Sequence, residues 1–213
     1  MQNNSANNTN PWTEIPLTDY ERHMADSAVG QLRLLNSLTG KYLKNVKPET
    51  CLVLGIAGGN GLEHIDRHIT KQVIGIDINQ NYLDVCRERY NHCADSLQLL
   101  QLDITQNTSR VCKADFIWAA LVLEYTGIDK CLEFARNNIL SGGHFIITIQ
   151  ANNNVQSVSP TGIETVKKAG TIFKIVEPGI LLLKAKERGY TLVGNEENQL
   201  PNGKTFLTFD FVA

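Results

Sequence analysis

The sequence predicts a doubly wound α/β fold: a mostly parallel sheet with helices on both faces, ending in a C-terminal antiparallel β-hairpin. Three observations carry this. Short apolar runs begin near Cys51, Gln72, Leu97, Asp115 and His144, and stretches of helical periodicity lie between them, such as Tyr82, Leu83, Cys86 and Tyr90, or Ile128, Leu132, Ala135 and Ile139. Such alternation closes into a parallel sheet because right-handed crossovers place helices over both faces. "VLGIAGGNG", Val53 to Gly61, leads from the first apolar run into a glycine-rich turn. Finally, "YTLVGNEENQ" and "KTFLTFDFVA" flank "PNG", whose Asn202-Gly203 pair suits a tight turn.

The elements follow in order. Residues 1 to 10 form a polar, Asn-rich tail with nothing to bury and are expected to be disordered. Residues 11 to 47 read as an N-terminal helical cap. Thr18 and Glu21 stand at capping-box spacing, and Val29, Leu32, Leu35 and Leu38 recur at helical intervals, so residues 18 to 44 form one or two helices with Gly30 as a candidate break. Residues 48 to 213 carry the alternating pattern. After the fifth strand come a polar segment from Asn152 to Thr161, a helical turn or two, and a helix from Pro178 to Arg188 closed by Gly189.

Composition bounds the function. A chain of 213 residues with 42% hydrophobic content buries one sizeable core, so one domain is expected. A formal charge of −2, from 20 basic and 22 acidic side chains spread along the chain, shows no footprint for nucleic acid or an anionic membrane. The longest apolar run, Phe116 to Leu123, is far short of the roughly 20 residues of a membrane span, and the N-terminus has neither part of a signal peptide, so a cytoplasmic protein is expected. Five cysteines without CxxC spacing and five scattered histidines are assigned no metal and no disulfide.

In a doubly wound sheet the turn after the first strand is the usual ligand site. The dinucleotide fingerprint, with glycines at i, i+2 and i+5, fits no register: Gly55 leads to Ala57 and Asn60, and Gly59 leads to Gly61 and His64. Glu63 and Asp66 are expected in the first turns of a following helix, where carboxylates compete with a pyrophosphate for the positive helix end. A ligand without phosphates is the consequence. Asp77, ending the second strand in "VIGIDIN", is placed to accept from both hydroxyls of a ribose, and Asp103, ending the third in "LLQLDIT", to accept from the exocyclic amine of a base.

These residues resemble the class I S-adenosylmethionine-dependent methyltransferases. The similarity runs from about residue 48 to 213 by order of elements and rests on "VLGIAGGNG", "VIGIDIN", "LDI", "ADFIWAALVLEYT" and "ILSGGHFIITI". Two positions depart from the family pattern: Gly55 stands where an acid usually ends the first strand, and Ala57 where the first loop glycine stands. The resemblance implies S-adenosylmethionine as cofactor, held by Gly55, Ala57, Gly59, Asp77, Ile78, Asp103, Ile104 and Ala119. It implies methyl transfer by positioned direct displacement, with no metal. Tyr20, His23 and Met24 share one helix face, which offers Tyr20 to the methionyl end of the cofactor and His23 to the acceptor as a candidate base; the same spacing equally describes core residues. The fourth strand lacks the Asn/Asp-Pro-Pro-Tyr/Phe motif of nucleic-acid and glutamine amino-group methyltransferases, which leaves a small-molecule acceptor. A non-catalytic cofactor-binding protein and a nicotinamide oxidoreductase are the alternatives. Glu124 and Tyr125 follow the fourth strand at the pocket edge, Glu124 equally as a solvated helix start. Lys204 reads as a solubilising residue or a contact for an acidic substrate. Asp115 begins its strand at the opposite edge and reads as structural.

Overall fold

The computed structural model describes residues 10–213. The expected disordered tail lies, except for Asn10, outside the described residues. In chain order the elements are α1 (Leu17–Ala25), α2 (Gln31–Val46), β1 (Thr50–Leu54), β2 (Gln72–Asp77), α3 (Gln80–Arg89), β3 (Leu97–Gln101), β4 (Ala114–Ala120), α4 (Leu123–Thr126), α5 (Ile128–Asn138), β5 (Ile139–Ala151), α6 (Glu164–Lys167), α7 (Pro178–Glu187), β6 (Thr191–Gln199) and β7 (Thr205–Val212). One sheet has the order β3-β2-β1-β4-β5-β7-β6. Its first five strands pair in parallel, and β7 lies antiparallel between β5 and β6. The order reverses between β1 and β4, so their carboxyl ends flank the crevice where such sheets bind ligands.

Period-two alternation divides the core into two layers. Leu52, Leu54, Ile74, Ile76, Ile117 and Phe145 point to one face and pack with Leu132 and Phe134 of α5 and Leu181 of α7. Cys51, Val53, Val73, Phe116, Trp118 and Ile146 point to the other and meet Leu35, Leu38 and Tyr42 of α2 and Leu83 and Cys86 of α3. α3 is capped by Asn79, whose side chain accepts from the N–H groups of Asn81 and Tyr82.

Several local expectations are corrected. Thr18 is not a cap: α1 starts at Pro16, whose extended backbone (φ −63°, ψ 138°) places its carbonyl to accept from the N–H of Tyr20, and Glu21 pairs instead with Arg89 of α3. The helical stretch does break at Gly30, which adopts φ +68° ahead of α2. No α-helix follows the glycine turn; residues 55–71 contain only a 3₁₀ turn, Leu62–His64. Gly55, Ala57, Gly59 and Gly61 all have positive φ, so no right-handed helix forms within the turn itself. Layer coverage on that face falls to α2 from outside the alternating region. Ile139, expected on the helix, is the first residue of β5 and pairs with Ala114, so the fifth strand begins five residues before His144.

Asp115 does stand at the amino edge of the sheet. Its two carboxylate oxygens accept from the N–H groups of Glu49 and Thr50, both at 2.8 Å, fixing the start of β1. Asp115→Ala strands both donors at a half-buried position and should lower stability by about 2 kcal/mol in urea unfolding, with no change in ligand affinity at the opposite edge.

Candidate functional site

A cavity, partly open to solvent, lies at the carboxyl edge. The glycine turn forms its floor, β2 and the segment after β3 form one wall, and the exit of β4 forms the other. The turn is held by a buried carboxylate: Asp77 Oδ2 accepts from the N–H of Ala57 at 2.9 Å and Oδ1 from the N–H of Asn79 at 2.9 Å. Burial pushes the Asp77 carboxyl upward, and the N–H groups of Asn79, Ala57 and Ile78 oppose this by favouring the anion. Ala57 sits at φ +47°, a conformation that costs a non-glycine residue about 1 kcal/mol, and its hydrogen bond to Asp77 offsets that cost.

Across the cavity Asp103 Oδ1 accepts from the N–H and hydroxyl of Thr105, at 2.8 and 2.7 Å. Its second oxygen has no protein partner among the described residues. Gly55, Ala57, Asp77, Ile78, Asp103 and Ile104 all line this cavity. Gly59 and Ala119 do not. A Cβ on Gly59 would lie 2.6 Å from a ring carbon of Tyr90 and 2.9 Å from the sulfur of Cys86, so this glycine permits close approach to α3 rather than to a ligand. Ala119 is fully buried in the α5-side core, because alternation along β4 turns it away from the exit; Ala120 and Leu121 reach the cavity instead.

Glu63 is also placed differently from the expectation, since there is no helix end for it to oppose. It folds back to accept from the N–H of Gly61 at 3.0 Å, the Tyr90 hydroxyl at 3.1 Å and the Asn36 amide, and these bonds outweigh partial burial to hold its carboxyl below the usual range. The case against a phosphate ligand rests instead on the cavity wall, which carries two aspartates and no lysine, arginine or histidine.

The cap supplies the roof. The Asn79 amide donates to the Trp12 carbonyl at 2.8 Å and the Tyr82 hydroxyl to the Ile15 carbonyl at 2.8 Å, strapping residues 12–15 across β2 and α3. Tyr20 stacks on Tyr82 with ring centroids 6.3 Å apart and meets Trp12 edge-on at 5.4 Å. Burial, with the Asp77 charge as a lesser cause, raises its phenol and keeps it neutral. A second, smaller cavity lies alongside, walled in part by His23, Met24, Gln31, Gln150 and Phe173, and shares Trp12, Tyr20, Leu121 and Tyr125 with the first. His23 is buried, bonds Thr161 through Nδ1 at 2.7 Å, and has its pKa lowered by burial and then by the Lys204 charge. The imidazole is therefore neutral near pH 7.

Sequence reasoning missed Trp12, Leu121, Gln31 and Gln150. Gln150 left a signal, a polar residue near the end of the apolar run "HFIITIQA"; Leu121, at φ +57°, left none. Two bland readings also fail. Lys204 is 1% exposed and solubilises nothing. Glu124 is wholly buried: Oε1 accepts from the N–H of Gln150 at 2.7 Å and Oε2 has no partner, so burial pushes its carboxyl up to about 7.

A raised folded-state pKa means that Glu124 contributes stability fully below the ordinary carboxylate range, and that this contribution disappears as pH rises through about 7. Glu124→Gln, which keeps the acceptor for Gln150 and carries no charge, should flatten the melting temperature between pH 5 and 8 and exceed wild-type stability at pH 8 by up to about 3 kcal/mol.

With this geometry in place, the comparisons with known proteins are informative. Residues 52–147 match a family described as "Methyltransferase domain". Among solved structures, the N-methyltransferase NodS from Bradyrhizobium japonicum WM9, crystallised with S-adenosyl-L-homocysteine, is similar over 96% of this chain and 93% of its own (TM-score 0.59, 19% identity). The geranyl diphosphate C-methyltransferase from Streptomyces coelicolor A3(2), also holding S-adenosyl-L-homocysteine, covers 87% and 83% (TM-score 0.66, 9% identity). An S-adenosylmethionine-dependent methyltransferase from Mesorhizobium loti covers 81% and 96% (TM-score 0.65, 15% identity). No curated protein matches the chain in sequence. At these identities the structural likenesses show the fold, and the family match adds that residues 52–147 are similar to a methyltransferase domain.

Proposed function

We propose that this chain transfers a methyl group from S-adenosylmethionine to a small-molecule acceptor, with the cofactor in the first cavity and the acceptor in the second. The observation that carries this reading is the pairing of the cavities: one with Asp77 at the end of β2, Asp103 two residues past the end of β3 rather than on it as expected, and no basic side chain among the described residues, sharing Trp12, Tyr20, Leu121 and Tyr125 with the other. The donor set fits the cofactor. Asp77 retains lone pairs beyond those given to Ala57 and Asn79 and accepts from ribose hydroxyls, while the unpartnered oxygen of Asp103 accepts from the adenine amine. Ile78, Leu102 and Ile104 supply apolar surface for the base, with Gly55 and Ala57 bringing backbone near the amino-acid tail.

The cofactor, when bound, supplies a methyl group already electrophilic on a sulfonium. The chain's own residues have the remaining tasks of aligning the acceptor, excluding water and holding a proton. Tyr20, between Asp77 and the second cavity, presents a neutral aromatic wall suited to a sulfonium. His23, neutral and facing the second cavity, takes a proton from an acceptor that carries one. The second cavity's size and the absence of a basic footprint support a small acceptor over a polyanion.

Calorimetry with S-adenosylmethionine and S-adenosylhomocysteine tests the cofactor half. Asp77→Ala should weaken binding by about 2 to 4 kcal/mol, through the ribose acceptor and the loosened turn; retained affinity contradicts the assignment. Once an acceptor is in hand, His23→Ala should lower kcat by about a hundredfold while leaving cofactor affinity intact. A wild-type rate in that variant removes His23 as the base.

A further inference from the structure

One charged group has no part in the chemistry described above. Lys204 is 1% exposed, and its Nζ donates to the Ser157 carbonyl at 2.6 Å. It makes no ion pair among the described residues, and with burial as the sole influence its ammonium is pushed down to about 8. An ammonium has three donors, and a buried charge without a counter-charge is costly to retain. Its surroundings show where a counter-charge would enter. The same Ser157 carbonyl accepts from the Gln150 side-chain amide at 3.0 Å, and both Ser157 and Gln150 line the second cavity. The ammonium thus stands one carbonyl oxygen behind the cavity wall. That wall includes His23, on which the Lys204 charge acts, and carries no aspartate, glutamate, lysine or arginine. The linings differ in electrostatic character: among the described residues the first carries two carboxylates and no cation, and the second carries neither, with the Lys204 ammonium behind it at Ser157 and the Glu124 carboxyl, raised by burial, behind it at the Gln150 N–H.

We propose that the methyl acceptor carries a carboxylate, that this group seats against the Gln150–Ser157 wall of the second cavity, and that Lys204 selects for it there by charge pairing. This rests on the reading of the second cavity as the acceptor's chamber. The Ser157 carbonyl holds the ammonium directly behind the wall, close enough for its charge to act on a carboxylate seated against Gln150 and Ser157. Selection follows from desolvation. A neutral isostere leaves the buried ammonium without a counter-charge, whereas a carboxylate neutralises it in a place that water screens poorly.

The test uses matched fragments, acetate with acetamide and benzoate with benzamide, titrated by ligand-observed NMR into full-length protein saturated with S-adenosylhomocysteine. In the wild type the carboxylates should bind about tenfold or more tightly than the amides, and in Lys204→Met the preference should fall below about threefold. Equal binding of the two members, no binding of either pair up to the solubility limit, or a preference that survives in Lys204→Met overturns the proposal. Should Lys204→Met fail to fold, Lys204→Gln replaces it, and the wild-type comparison stands without either variant. Titration of S-adenosylhomocysteine alone separates this proposal from the reading beneath it. If that ligand fails to bind, the cofactor assignment falls while the fragments still report on Lys204 in the unloaded protein; if it binds and the carboxylate preference is missing, this proposal alone falls.

Discussion

The site depends on one hydrogen bond, from the backbone N–H of Ala57 to the carboxylate of Asp77. It ties the turn after β1 to the end of β2, two segments that parallel pairing brings side by side, and it holds a non-glycine residue in a left-handed conformation. Gly55, just past β1, admits no side chain, because a Cβ there would lie 2.9 Å from Val122 at the exit of β4. The arrangement gives one aspartate two tasks, shaping the turn and presenting lone pairs to the cavity. Burial raises its carboxyl while the N–H donors of Asn79, Ala57 and Ile78 favour the anion.

From that anchor the distribution of charge follows outward. Asp77 and Asp103 give the first cavity a negative wall, which suits a cationic, phosphate-free nucleoside. Trp12 and Tyr20 of the N-terminal cap line both this cavity and the second, whose polar groups include the His23 imidazole, the Gln31 and Gln150 amides and the Ser157 hydroxyl. The cap is held to the sheet by side chains of the sheet's own connections, Asn79 and Tyr82, and by contacts such as Thr165 to Asp19 at 2.7 Å. The elements that close the pocket are therefore fastened to the elements that line it.

The sheet was legible in the sequence because buried parallel strands are continuous apolar runs, and "VIGID" or "FIWAA" admit little else. The C-terminal hairpin was legible from Asn202-Gly203, and the structure places Gly203 at φ +84°. The missing helix after the glycine turn was not legible, since "LEHIDRHI" has acceptable helix residues. At the site, Asp77 and Asp103 were visible because strand ends are fixed by the apolar pattern, whereas Gly59 and Ala119 were carried over from a resemblance and face neighbouring core in this chain. The burial of Lys204 and Glu124 could not be read from the sequence, because it is set by contacts with segments 47 and 26 residues away, at Ser157 and Gln150.

The central claim is that Asp77 binds the turn and the cofactor together. A crystal structure with S-adenosylhomocysteine tests it most directly. The account predicts both ribose hydroxyls on the Asp77 carboxylate, the Ala57 N–H still donating to Oδ2, the adenine amine at Asp103 and the sulfur facing Tyr20. A nucleoside seated elsewhere, or an Asp77 that turns away from Ala57 when the ligand binds, contradicts it.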